Sequence, residues 1–171
     1  MITTLRSTLF LLLFSLCFVS GKSQVPFPEK CLGKWEGMLM IYQQGQLRDS
    51  VKVIFTVAKT DVADRWTWKK EYISEKFPMV KDYELVLKDA EKGQYITDEG
   101  ENIQLADYLF GNKLYSVFET GGILLTSTYE LREEELIFEV TSGKKLTDDQ
   151  EVNNFSVSSI QRAVFTRSKE D

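Results

Sequence analysis

Histidine is missing from this sequence of 171 residues, and its absence removes whole classes of chemistry. No Ser-His-Asp or Cys-His relay can be built, no imidazole can hold a haem, and no histidine-based zinc site can form. Cysteine is scarce, with only Cys17 and Cys31. Proline is confined to Pro26, Pro28 and Pro78, so nothing after Pro78 bars a strand from a central place in a sheet. Basic residues are outnumbered, 21 Lys and Arg against 26 Asp and Glu. The resulting net charge of -5 argues against nucleic-acid binding, which needs clustered cations to neutralise phosphates. Also missing are a Gly-x-Ser-x-Gly elbow, a glycine-rich phosphate loop and the Asp/Asn ladder of an EF-hand. The acids gather instead in short runs, at Asp98, Glu99 and Glu101, at Glu133 to Glu135, and at Asp148 and Asp149. Solvated turns account for such runs, so no metal site, cofactor or catalytic residue is expected.

One long apolar run is present, Leu9 to Ser20. It follows a short segment carrying Arg6 and precedes the small residues Gly21 and Ser23. Twelve residues are too few to span a bilayer comfortably, and the order of charge, apolar run and small residues is that of a secretory signal peptide. Cleavage is expected between Ser23 and Gln24, or else after Gly21, leaving a domain over 24–171 with no membrane insertion. Loss of residues 1–23 removes Arg6, Lys22 and Cys17, giving 19 bases against 26 acids and a lone Cys31. No intrachain disulfide is then available, and Cys31 is expected to be buried as a small hydrophobe. The expected location is secreted or periplasmic.

What fills the remainder is alternation. A 43% apolar composition argues against disorder. Apolar side chains recur every second residue, the period of a half-buried strand. Trp35, Gly37, Leu39 and Ile41 form one such stripe, and Val51, Val53, Phe55 and Val57 the next, across a turn at Gln43 to Gln46. Trp66, Trp68, Lys70 and Tyr72 share a face, followed by Tyr83, Leu85 and Leu87. Short strands are expected at Gln94–Thr97 and Ile103–Leu105 around a turn at Asp98 to Glu101. Further stripes follow from Leu109 to Glu119, broken by Gly111-Asn112, then at Ile123 to Leu131 and Leu136 to Val140. Ser142 to Asn154 reads as a polar loop, and Phe155 to Arg167 as a long final strand with an irregularity near Ser158-Ser159. This predicts an all-β domain, a single antiparallel up-and-down barrel of about eight to ten strands, at the spacing typical of sandwiches and barrels. Closure removes the exposed edges that so many consecutive hairpins would otherwise leave.

The segment Leu32-Gly33-Lys34-Trp35-Glu36-Gly37 resembles the Gly-x-Trp signature on the first strand of lipocalins and related calycin barrels. Gly37 adds a similarity to haem-binding barrels of the nitrobindin type, whose haem depends on a histidine that this chain lacks. The lipocalin resemblance implies that Trp35 plugs a closed end. It also implies that an arginine of the last strand, Arg167 or Arg162, packs across the Trp35 ring as a cation–π pair. Both residues would then be structural.

Three large aromatics on one strand suggest a ligand wall. The candidate ligand-binding residues are Trp66, Trp68, Lys70, Tyr72, Tyr83, Leu85, Tyr129 and Phe138, with Lys70 a possible anchor for a carboxylate. The expected partner is a small hydrophobic or amphipathic molecule, and the expected role is non-enzymatic binding. Two alternatives stay open. A solid barrel would serve as a structural or protein- or glycan-interaction module of the cell envelope. A histidine-independent enzyme would need two ionisable side chains to converge in the barrel mouth.

Overall fold

The computed structural model describes residues 25–146 and 151–168. The expected leader, 1–23, lies outside them. A single helical turn, α1 (Phe27–Lys30), is followed by ten strands: β1 (Gly33–Gln43), β2 (Gln46–Lys59), β3 (Arg65–Ile73), β4 (Met79–Asp89), β5 (Gln94–Gly100), β6 (Ile103–Phe110), β7 (Lys113–Thr120), β8 (Ile123–Arg132), β9 (Glu135–Lys145) and β10 (Phe155–Arg167). Each strand pairs antiparallel with its neighbour in sequence, and β1 pairs with β10 to close the barrel. The expected up-and-down barrel is the observed one.

Turn chemistry fixes the hairpins. Gln44 and Gly45 both take positive φ, 50° and 75°, the pairing that matches the twist of a two-residue hairpin between β1 and β2. Glu101 and Asn102 do the same between β5 and β6. Strand β5 therefore runs to Gly100, past the expected turn at Asp98. Asp98 stays in the ladder because it pairs with Glu84 on one side and Gln104 on the other. Likewise β9 continues to Lys145, with Ser142 and Gly143 paired to β8, so the expected loop from Ser142 is shorter. The irregularity expected near Ser158 is a register shift between Val157 and Ser159.

The seam is close-packed. Trp35 stands opposite Arg167, and Gly37 opposite Phe165. A Cβ on Gly37 would lie 2.4 Å from the Val164 carbonyl oxygen, so only glycine lets the first strand approach the last this closely.

One end of the barrel is solid. Trp35, Phe55, Trp68, Phe165, Leu114 and Leu136 fill it and are each almost wholly buried. Rings meet edge-on or tilted: Phe55 and Trp68 at 4.8 Å, Phe55 and Phe165 at 5.9 Å between centroids. Each such side chain contributes about 1.5–3 kcal/mol by leaving water. The turn of α1 covers this end, placing Phe27 6.3 Å from Trp68. It is tied down where the Phe27 N–H donates to the Tyr95 hydroxyl at 3.1 Å and Trp66 Nε1 donates to Glu29 at 3.0 Å. Cys31 is buried under the same cap, and Trp35 Nε1 donates to its carbonyl at 2.8 Å.

Candidate ligand-binding lumen

Along several strands the inward side chains shrink or turn polar away from the closed end. Tyr95 gives way to Thr97, Leu109 to Asp107, Leu114 to Ser116, Tyr129 to Ser127, and Phe165 to Ala163 and Gln161. A ten-stranded barrel is wider than the eight-stranded size that side chains just fill. Short side chains cannot meet across it, and a cavity of about 150 Å³ remains in the open half.

Its floor is a bridge across the lumen. Lys70 extends from β3, and its Nζ donates to the hydroxyl of Tyr129 on β8, the strand diametrically opposite. The ammonium lies 4.2 Å from the centroid of the Phe138 ring and 5.0 Å from that of Tyr129. Lys70 is only 4% exposed. Burial lowers its pKa to about 7, the like charge of Lys81 pushes the same way, and Glu99 opposes both. Lys70 and Lys81 are directly opposite in the β3–β4 register and both face the cavity, an unfavourable like-charge pair. Burial also raises the Tyr129 hydroxyl well above its usual value and pushes Tyr72 up to about 12, so both stay neutral donors.

An acidic wall faces the same space. Asp107 on β6 is 3% exposed, and its Oδ2 accepts from Thr97 Oγ1 at 2.8 Å. Burial raises its pKa to about 6, against the lowering effect of the Thr97 and Ser116 hydroxyls. Glu99, next inward on β5 after Thr97, lines the cavity too, and with burial its charge holds the Tyr83 hydroxyl well above its usual range. Among the described residues, none of Lys70, Lys81, Glu99 and Asp107 is in an ion pair.

Five of the eight predicted site residues meet here: Lys70, Tyr72, Tyr83, Tyr129 and Phe138 all line the cavity. Trp66, Trp68 and Leu85 do not. They share the inward face of their strands but lie nearer the closed end, packed in the core at 4%, 0% and 0% exposure. The lumen also departs from the expected apolar wall, because ionisable side chains converge in it. Glu99 was expected in a solvated turn and instead faces inward. Asp107, Thr97 and Ser116, to which the sequence pattern assigns no role, line the cavity as well. Their sequence signal is small or acidic residues at inward positions, such as Asp107 between Leu105 and Leu109.

Trp35 and Arg167 stack as the lipocalin resemblance implies, whereas Arg162 lies on the outer surface beside Glu139. A larger groove of about 280 Å³ runs along the closed end between Pro26 and the β4–β5 turn, but it holds no buried charge. Among the described residues, no three acidic or thiol side chains gather to hold a metal.

A closed antiparallel barrel, solid at one end and hollow at the other, is a calycin-like fold. No protein-family profile matches the sequence, and no curated protein matches it. Among solved structures, the S-type phycobiliprotein lyase CPES from Guillardia theta is similar, with a TM-score of 0.60. It is 10% identical, over 85% of this chain and 92% of that one. Two variants of the fluorescent protein UnaG align with TM-scores of 0.48 and 0.46, at 17% and 16% identity, over 83% of this chain and 99% of each of theirs.

Proposed function

We propose that this chain is a secreted, non-enzymatic carrier that holds a small amphipathic molecule in the open half of its barrel. The observation that carries this reading is Lys70, a buried amine that faces the cavity and is in no ion pair among the described residues. A buried cation is costly unless paired, and a ligand carboxylate would supply the missing partner. Tyr72, Tyr83 and Phe138 would enclose the apolar part of the molecule. A cavity of about 150 Å³ is the size that takes a single benzene ring, which favours a compact ligand or one whose tail leaves through the mouth. The hollow favours a carrier over a solid envelope module. Ionisable groups do converge in the lumen, yet Lys70 donates to Tyr129 and Asp107 accepts from Thr97, an arrangement suited to holding a ligand rather than turning it over. Secretion rests on the order of charge, apolar run and small residues over 1–23.

Titration with 4-ethylbenzoate, followed by intrinsic tryptophan fluorescence, tests binding. Trp68 lies 5.0 Å from the Tyr129 ring at the cavity floor and would report occupancy. A saturable change that is lost in Lys70→Met is expected. Absence of any saturable response to aromatic acids, fatty acids or retinoids would overturn the reading. Expression with the leader, followed by cell fractionation and N-terminal sequencing of the product, tests secretion, with Gln24 the expected first residue.

A further inference from the structure

The lumen carries charge of both signs, and none of it is joined in an ion pair among the described residues. Lys70 and Lys81 stand opposite each other on β3 and β4, while Asp107 lies on β6, three strands round the wall from Lys70. Both innermost groups are more than nine-tenths buried and face the cavity, and no ion pair joins them to each other or to anything else among the described residues. A barrel that only stored apolar cargo would gain by replacing these groups with hydrocarbon, since buried charges without partners are destabilising. One that took simple carboxylic acids would need the lysines and would be hindered by the acids. The arrangement instead matches a ligand with two polar ends.

From this geometry we infer that the lumen selects a small zwitterionic molecule: a carboxylate held by Lys70, joined through a short apolar spacer to an ammonium or other charged N–H donor held by Asp107. The inference rests on the carrier reading above and names its ligand class. Thr97 keeps one oxygen of Asp107 engaged at 2.8 Å and so fixes the carboxyl plane, while Tyr129 fixes the lysine amine. Glu99, between the two walls, adds attraction for the ammonium end. Both polar sites are therefore held in place before the ligand arrives, which lowers the entropy lost on binding.

Three probes of nearly equal shape separate the ends: 4-(aminomethyl)benzoate carries both charges, 4-ethylbenzoate only the acid, and 4-ethylbenzylamine only the amine. Calorimetric titration of the intact protein at pH 7.5 is expected to give the doubly charged probe an advantage of about tenfold or more over either single-ended one, the scale of a hydrogen bond between charged groups. Asp107→Asn should erase its advantage over 4-ethylbenzoate, whose own affinity should rise as a repelling carboxylate is lost from the lumen. The comparison on the natural protein needs no variant, so it decides the matter even if Asp107→Asn folds poorly. Equal or tighter binding of 4-ethylbenzoate would overturn the zwitterion inference and leave the carrier reading standing. If none of the three probes binds, and long-chain acids also fail, the carrier reading itself falls.

Discussion

The guanidinium carbon of Arg167 lies 4.3 Å from the centroid of the Trp35 ring, so the end of the last strand covers the start of the first. Its Nη1 donates to the Leu32 carbonyl at 2.5 Å and its Nη2 to the Lys30 carbonyl at 3.1 Å, binding the seam to the segment that caps the closed end. Arg167→Ala should therefore lower stability by about 1–3 kcal/mol, combining a cation–π contact with charged hydrogen bonds. Arg167→Lys should restore only part of it, because an ammonium cannot stack and fork at once. Urea midpoints of the three proteins check the order.

Gly37 makes a second demand at the same seam. Its added Cβ would meet the Val164 oxygen at 2.4 Å and Phe165 Cδ1 at 2.9 Å, and backbone atoms cannot step aside as a flexible side chain can. Gly37→Ala should cost about 1–3 kcal/mol through forced displacement of β10. Gly45→Ala, where the turn leaves open space, is the comparison: its penalty comes from positive φ alone. A smaller loss at Gly37 than at Gly45 would contradict the packing.

Lys70→Met should stabilise the fold while abolishing acid binding, by on the order of 1–3 kcal/mol. Its pH dependence has a definite sign. Lys70 titrates near 7 when folded, against a usual value of 10.5, so between those limits the unfolded chain binds the extra proton. Natural-protein stability from this group is lowest below about pH 7 and recovers as pH rises toward 10.5. The advantage of the methionine variant should accordingly be greatest at pH 6 and shrink by pH 9, as thermal melts of both proteins would reveal.

Cys31 is fully buried, and burial pushes its thiol up to about 12. Thiol reagents act on the thiolate. Ellman's reagent at pH 8 should leave the native protein unmodified and react promptly once urea unfolds it. Rapid labelling of the folded protein would show that the α1 cap opens.

Strand identity is legible in the sequence because alternation with period two reports which face of a strand each side chain occupies. It does not report height along the barrel axis. Trp66, Trp68, Lys70 and Tyr72 share one face of β3, yet the tryptophans lie in the packed half and Lys70 and Tyr72 line the hollow. That division is set by register round the closed ring and by the size of side chains on distant strands, such as Ser116 and Ser127, which no local window contains. The inward placement of Asp107 is illegible for the same reason. An acid in a strand reads as solvent-facing until its neighbours place it inward. Trp35 and Arg167, far apart in sequence, were paired through a family resemblance rather than through any local pattern.

Nine of the ten strand pairings join consecutive strands, and only β1 with β10 links distant parts of the chain. Folding can therefore proceed hairpin by hairpin at low entropic expense, until the ring must shut over a span of more than a hundred residues. Closing that last junction carries the largest loop-closure cost of any pairing in the barrel. Substitutions at Trp35 or Gly37 should slow or speed the reaction differently from those in the meander, even where their effect on final stability is the same.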